Sequence, residues 1–212
     1  GKLVIGSFGQ TGEASSQTFD WLGQFASECL NRVKVPVTIV KDAWASPKGD
    51  YSALGHVLRQ GRNGKPGLTF MVCVDGSKVS KQAFDFAAGC LRRDDILYAF
   101  YVTDTSKGGE DARVTAEFST ECGKLQHTVN GLGAAELRTG RYQPGDSTAP
   151  AGGGGTVLWP IRSAILGFAE EAEVDVLVMG SAELAHADKK HTLGSICAAV
   201  AKETRCHFCV VK

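Results

Sequence analysis

The chain of 212 residues is long enough for one ordinary hydrophobic core, or for two small ones. Lys plus Arg total 23, as do Asp plus Glu, so no net charge favours nucleic acid or an anionic membrane as a partner. No apolar stretch approaches the roughly 20 residues of a transmembrane helix, and the N-terminus lacks a signal-peptide pattern. Composition therefore predicts a cytoplasmic globular protein whose partners are small molecules or other proteins.

An internal repeat connects the two ends of the chain. Residues 3–7, Leu-Val-Ile-Gly-Ser, recur as residues 177–181, Leu-Val-Met-Gly-Ser. A Leu-Gly pair follows each segment, and the distance from that pair to a closing lysine, Lys41 or Lys212, is the same in both copies. Each copy is predicted to form a strand, a glycine-bearing loop, a helix and a further strand.

The first copy lies within residues 1–41, which predict a β-α-β unit. Residues 42–66 contain four glycines and two prolines and are predicted to be a linker, with one or two helical turns at residues 52–59.

Residues 67–212 predict five parallel strands joined by four crossover helices, because short β-branched runs alternate with helical patterns. The predicted strands are 68–74, 96–102, 135–142, 174–179 and 207–211, and the predicted helices are 79–91, 112–129, 161–173 and 195–203. Residues 143–155, rich in small and turn-forming residues, are predicted to form a loop. The expected fold is α/β: a Rossmann-like five-stranded parallel sheet with helices on both faces, preceded by a β-α-β half-domain.

The order of these motifs resembles the universal stress protein family. The resemblance is carried by residues 71–77, Met-Val-Cys-Val-Asp-Gly-Ser, by residues 174–181, and by a Leu-Gly-Ser triplet at Leu193 that leads to the closing strand. It covers residues 68–212 and implies one complete domain of the adenine nucleotide alpha-hydrolase-like type. Residues 1–41 resemble the C-terminal half of a preceding domain, as in tandem members of the family.

Family members that bind ATP carry a loop in which two residues separate a first glycine from a second, and nine separate the second from a Gly-Ser or Gly-Thr pair. Gly180, Gly194 and Ser195 match this pattern. Glu183 stands at the second glycine position, and ten residues rather than nine separate it from Gly194. The resemblance implies that the phosphates of ATP or AMP lie over Gly180, Ser181, Gly194 and Ser195. Mg²⁺ is expected only if ATP is bound.

The physical reason for such a loop is independent of the family. Glycine lets backbone N–H groups approach phosphate, and the helix that follows presents unpaired N–H donors and a positive dipole end. The charge of Glu183 opposes an anion, and the same loop carries residues that can offset it: His186, Lys189, Lys190 and His191.

Asp75 and Val74 stand at the end of the first strand of the complete domain, and the resemblance implies that they contact the adenine and ribose. Asp before Gly is also common turn chemistry, so a ligand role and a structural role for Asp75 both remain open. Ser77 is predicted to cap the helix that follows.

The other candidate sites each have an ordinary structural interpretation, such as core packing or a solvated loop. The seven cysteines are an odd number spread through apolar segments, which favours free thiols in a reducing compartment. Cys206 and Cys209 form a Cys-x-x-Cys spacing that is compatible with a metal or redox site, but three residues apart on a strand they point to opposite faces, which favours core packing. His186 and His191 form either a metal loop or, more commonly, a solvated loop. We expect no metal site.

Neither a Gly-x-Ser-x-Gly elbow nor a Walker loop is present, so the sequence predicts no enzyme. Two functions follow. One is a nucleotide-binding regulatory module of a stress response. The other is an interaction or scaffold module with a degenerate pocket. Because edge strands readily take partners, the segment from Pro36 to Lys41 and the segment from His207 to Lys212 are expected to meet each other, or equivalent strands in another chain.

Overall fold

The computed structural model of the protein describes residues 1–6, 24–41, 66–104, 108–128, 135–142, 158–181 and 193–212. Its strands are β1 (Leu3–Gly6), β2 (Val37–Val40), β3 (Thr69–Cys73), β4 (Ile96–Asp104), β5 (Ala135–Tyr142), β6 (Val176–Gly180) and β7 (His207–Val211). Its helices are α1 (Gln24–Arg32), α2 (Lys78–Cys90), α3 (Gly108–Thr128), α4 (Leu158–Glu171) and α5 (Ser195–Glu203). Nearly all of the predicted linker, the 52–59 turns and the 143–155 loop lie outside the described residues.

These strands form a single sheet in the order β1-β2-β7-β6-β3-β4-β5. Strands β7, β6, β3, β4 and β5 pair in parallel and are connected through α2, α3, α4 and α5. The predicted α/β fold, with five parallel strands and four helices from residue 68 onward, is confirmed. Strands β1 and β2 are also parallel to each other, and β2 joins β7 in the antiparallel sense.

The helices cover both faces of the sheet. On one face α1, α4 and α5 pack over a core that includes Leu30, Ile165 and Val200. On the other face α2 and α3 pack over a core that includes Phe84 and Phe118, whose rings meet edge to face. Two covered faces explain why the central strands are continuous apolar runs rather than alternating ones.

The junction between β2 and β7 is centred on equivalent positions of the repeat. Thr38 lies opposite Cys209, and these two residues occupy the same place in the two copies. The flanking pairs are Val37 with Val210 and Ile39 with Phe208, so the junction has a local two-fold character. The prediction that the two closing strands meet is confirmed in its intramolecular form, and β7 is therefore not an edge of the described sheet.

The closing lysine of each copy reaches the helix of the other copy. Lys41 is buried, and its Nζ donates a hydrogen bond of 2.7 Å to the carbonyl of Ala201 in the last turn of α5. Lys212 Nζ donates one of 2.5 Å to the carbonyl of Val33, which directly follows α1. A cation at a helix C-terminus pairs with carbonyls that lack partners within the helix, so each lysine stabilises the opposite copy.

Two helices begin earlier than the sequence predicts. Helix α4 starts at Leu158 rather than residue 161, so that Pro160 lies within its first turn. A proline there breaks no hydrogen bond, because the first N–H groups of a helix have no partner within it. Helix α3 starts at Gly108 rather than residue 112, and its first turn contains Glu110 and Asp111, whose charges suit the positive helix end.

Strand β6 begins at Val176, two residues later than predicted. The N–H of Val174 donates to the carbonyl of Ala169 and closes the end of α4. This N–H is therefore not available for pairing within the sheet. Glu173 supplies the left-handed turn for this closure, with a φ of 49°. Among the described helices, none has the length and hydropathy needed to cross a bilayer.

Candidate functional site

A cavity of about 360 Å³ opens at the carboxyl edge of the parallel sheet. It lies over the ends of β3, β4 and β6 and against α4 and α5. All six residues predicted from the sequence line it: Val74, Asp75, Gly180, Ser181, Gly194 and Ser195. Segments more than 100 residues apart in the chain therefore meet at one place, as expected for the ligand edge of a doubly wound sheet.

Asp75 is a polar residue of the cavity wall. Its Oδ1 accepts the N–H of Ser77 at 2.9 Å, across a turn in which Gly76 has a φ of 78° that favours glycine. Ser77 caps α2 as predicted, since its Oγ accepts the N–H of Ser80 at 3.1 Å. The turn role of Asp75 is thus observed, and its role toward a ligand stays a prediction.

The carboxyl group of Asp75 is held in its ionised form. Partial desolvation acts to raise its pKa, but hydrogen bonds from Ser77 and Ser80 outweigh that effect, so the pKa lies below the ordinary aspartate value. Asp75 therefore presents a negative hydrogen-bond acceptor to the cavity at neutral pH.

Gly180 ends β6 at a point where α2 passes very close. A Cβ at this position would lie 2.8 Å from the backbone carbon and oxygen of Val79. Backbone atoms cannot move aside as the end of a side chain can, so packing alone requires glycine here. The match of Gly180 to the family's loop is therefore explained without a ligand.

Gly194 is in the opposite situation. A Cβ at Gly194 would meet no atom within 4 Å, so neighbouring protein atoms do not demand glycine. Gly194 is the N-cap of α5, with φ −56° and ψ 147°, and it offers no side chain to the first turn. The first N–H groups of α5 consequently face the cavity rim without a side-chain cap, and they can donate to an anion.

Ser181 connects the two glycine-bearing segments. Its N–H donates to the carbonyl of Val211 at 2.9 Å, which extends the β6–β7 pairing by one residue. Its buried Oγ accepts the N–H of Gly194 at 3.3 Å. The end of β6 and the start of α5 are thereby tied together at the floor of the cavity. Ser195, next along α5, is exposed at the rim.

The sequence analysis missed the apolar part of the cavity. This part consists of side chains at the end of β4 and on two helices: Phe100, Tyr101, Val102, Ile161, Ile165 and Ile196. The signal for the β4 residues was available, because the carboxyl end of a strand that neighbours β3 must reach the same edge. The helix residues could not be located, since their place depends on how α4 and α5 pack.

Two cysteines in the cavity wall are not reactive groups. Burial raises the pKa of the Cys73 thiol far above its ordinary value, and it raises that of Cys197 to about 12. Both remain protonated at neutral pH, and a thiol is a weak nucleophile and a weak metal ligand in that state.

Among the described residues that line the cavity, Asp75 is the one side chain with a charge at neutral pH. Anion binding in the described part therefore relies on N–H donors of α5. Glu183 and the cationic loop residues, namely His186, Lys189, Lys190 and His191, lie outside the described residues.

Cys206 and Cys209 lie on opposite sides of the sheet, as predicted. Cys206 belongs to the core under α4 and α5, and Cys209 belongs to the core under α2 and α3. Both are buried, so they pack as small apolar side chains. Within the described ranges, no group of three or more His, Cys, Asp or Glu side chains is placed to hold a metal ion.

A model of the universal stress protein family matches residues 68–212. Among solved structures, a universal stress protein from Archaeoglobus fulgidus DSM 4304 is 19% identical with a TM-score of 0.59, and the alignment covers 100% of this chain and 62% of that protein. UspA from Lactobacillus plantarum is 19% identical with a TM-score of 0.49, over 68% of this chain and 97% of that protein.

A universal stress protein in complex with cAMP is 21% identical with a TM-score of 0.46, over 68% of this chain and 96% of that protein. No curated protein sequence matches the chain significantly. The structural likeness at these identities concerns the fold alone. The family model spans more than half of the chain, and the parallel sheet, its helices and its closing strand lie where that model matches; this protein therefore belongs to the universal stress protein family.

Proposed function

We propose that residues 68–212 form an adenine-nucleotide-binding regulatory domain without catalysis of its own. The observation that carries this proposal is the convergence of Asp75, Ser181 and Gly194 on one cavity at the carboxyl edge of the sheet. A volume of about 360 Å³ lies within the usual range of small-molecule sites.

The chemical groups that line the cavity suit a nucleotide. They include an ionised acceptor, Asp75, and the uncapped N-terminus of α5. Apolar side chains such as Val102 and Ile165 form another part of the wall. A ribose hydroxyl can donate to the carboxylate, a base can lie against the apolar wall, and a phosphate can accept from the N–H groups.

The described donors suffice for a single phosphate. A nucleotide monophosphate such as AMP brings one phosphate group to the N–H donors of α5, whereas the triphosphate of ATP has two further phosphate groups that need partners beyond the described wall. Lys189 and Lys190 offer such partners in the sequence, in a segment outside the described residues.

A second candidate function is a domain that serves as an interaction module with no ligand. One observation favours it: packing against Val79 accounts for Gly180, so this part of the loop motif persists without a nucleotide. We also infer that residues 1–41 are the C-terminal half of a second domain of the same type. The junction centred on Thr38 and Cys209, and the exchange of lysine contacts across it, support this inference.

A matched pair of variants at Gly194 tests nucleotide binding. Gly194→Asn and Gly194→Asp add side chains of nearly equal shape into open space, and both residues are good N-caps. Neither is expected to lower Tm. Asp places a like charge beside a phosphate, so calorimetry with AMP and ATP should show Gly194→Asp binding at least about tenfold more weakly than Gly194→Asn.

Equal affinities of the two variants would contradict a phosphate at the start of α5. Undetectable binding of ATP, ADP and AMP to the unmodified protein at millimolar concentration would instead favour the interaction module. Mass spectrometry of the denatured protein as purified provides an independent check, because a retained nucleotide would be released and identified.

A further inference from the structure

Asn31 lies in the last turn of α1, and its side chain reaches the C-terminal domain. Its Oδ1 accepts the backbone N–H of Leu193 at 3.2 Å, while its Nδ2 donates to the carbonyl of Ser27 at 2.9 Å. The opposite amide orientation would bring two acceptors together and two donors together, so these contacts fix the orientation of the amide. A residue of the first copy thereby holds a specific backbone group of the second.

The group that Asn31 holds is adjacent to the candidate site. Leu193 directly precedes Gly194, the N-cap of α5 that lines the cavity. The two consecutive N–H groups point to different parts of the protein, since Leu193 donates to Asn31 and Gly194 donates to Ser181. The start of α5 is therefore held between the end of β6 on one side and the first copy on the other.

Within the part of the chain that the structure describes, no side-chain cap holds this turn. Gly194 has no side chain, and α5 has no side-chain cap. The Leu193 side chain packs on the core beneath α4 and α5 and so anchors the turn. This packing does not fix the direction of the backbone N–H groups, which depends on their hydrogen-bond acceptors. A shift of this backbone changes where the first N–H donors of α5 point.

We propose that Asn31 is a positioning residue through which the β1-α1-β2 unit sets the nucleotide affinity of the cavity. The proposal rests on the proposed function, because it concerns the same site. Docking of the first copy orders the start of α5 for a phosphate, and a bound phosphate in turn favours docking, since coupling between two binding events is reciprocal. The first copy thus regulates a site whose described lining residues all belong to the rest of the chain.

The test uses three variants of the full chain. Asn31→Ala removes the acceptor for the Leu193 N–H. Asn31→Asp retains an acceptor at the same place. Glu28→Ala is the matched control, because Glu28 lies one turn earlier on α1, is half exposed and contacts only Arg32 of its own helix among the ion pairs of the described residues. Two quantities are measured for each: hydrogen exchange of the Leu193 amide without ligand, and AMP affinity by calorimetry.

Asn31→Ala is expected to speed exchange of the Leu193 amide and to weaken AMP binding, each by roughly two- to tenfold, as the loss of one hydrogen bond implies. Tm should be slightly lower than that of Glu28→Ala, because two hydrogen bonds of Asn31 are lost, and Asn31→Asp should restore the exchange rate. If Asn31→Asp restores slow exchange of the Leu193 amide, the effect of Asn31→Ala comes from the lost acceptor and not from a less stable α1, since Asp at a helix C-terminus does not stabilise the helix.

Unchanged exchange of the Leu193 amide in Asn31→Ala would overturn the proposal, whatever the ligand does. Faster exchange with unchanged AMP affinity would also overturn it, because the turn would then be uncoupled from the site. If the unmodified protein binds no AMP, the proposed function fails and with it the regulation by Asn31, while the exchange rates still decide whether Asn31 holds the turn.

Discussion

The two copies of the repeat form the same elements in different surroundings. Helices α1 and α5 each have nine residues and occupy equivalent positions in the copies. Every residue of β7 is buried, however, whereas β2 alternates between buried and half-buried positions. Val4 in β1 is 53% exposed, and its counterpart Val178 in β6 is 1% exposed. Local sequence thus sets the elements, and the neighbouring strands and helices set their burial.

The described cavity depends on the surroundings of the second copy. The second copy lies beside β3, whose end supplies Asp75, and beneath α4, which supplies the apolar wall. The first copy has β1 at its outer side, and within the described residues no strand pairs beyond it. The described cavity is therefore built from a facing strand end as well as from the Leu-Gly turn before α5.

The largest effect is expected from changing the paired valines. Val178→Ala removes two methyl groups from a filled core and should lower the free energy of unfolding by about 2–3 kcal/mol. Val4→Ala makes the same chemical change at an exposed position and should alter it by less than about 0.5 kcal/mol. Urea unfolding of both variants measures the contrast. Equal losses would show that β1 is covered as well as β6 is.

A smaller effect is expected from the two closing lysines. Lys41→Met leaves the carbonyl of Ala201 without its buried donor and should cost about 1–2 kcal/mol. Lys212→Met should cost about 0.5–1 kcal/mol, because Lys212 is only half buried and water can replace its bond to Val33. Thermal unfolding of each variant, and of the double variant, checks this order. A larger loss for Lys212→Met than for Lys41→Met would mean that burial does not determine how much each lysine stabilises the protein.

The smallest effect concerns Asp75, the group that the first copy lacks. Its pKa is lower in the folded protein than in the unfolded chain, so the ionised carboxylate stabilises the fold at pH above its ordinary pKa of 3.8. This contribution is lost as the pH falls through the lowered native pKa. Asp75→Asn should therefore have a slightly lower Tm than the unmodified protein at pH 7 and the same Tm at pH 2. A difference that is independent of pH would contradict the role of the charge.

Much of the fold could be predicted because its signals are local. The strand at residues 135–142 and the helix at 195–203 have the predicted bounds, since the ends of these elements are marked in their own sequence. The starts of α3, α4 and β6 were wrong by two to four residues. The start of β6, for example, depends on the hydrogen bond from Val174 to Ala169 at the end of α4, which the apolar pattern does not register.

The site could be predicted only in its polar part. Asp75 and Gly194 are marked by strand ends and a Leu-Gly-Ser turn, and the structure brings them to one cavity. The packing role of Gly180 could not be predicted, because its close approach to Val79 is a tertiary contact without a local signal. The contact from Asn31 to Leu193 could not be found either, since it joins residues 162 positions apart. Whether the cavity binds a nucleotide stays a prediction.

The pairing of Thr38 with Cys209 has an evolutionary consequence. A contact that a two-fold axis maps onto itself is the kind that joins two identical molecules in a closed dimer. In such a dimer every substitution appears on both sides of the contact. Within one polypeptide the two sides mutate separately. Threonine already faces cysteine across the axis, and Asn31 in α1 corresponds to Lys202 in α5. Within this chain, one side of the junction can therefore change while the other keeps its contacts.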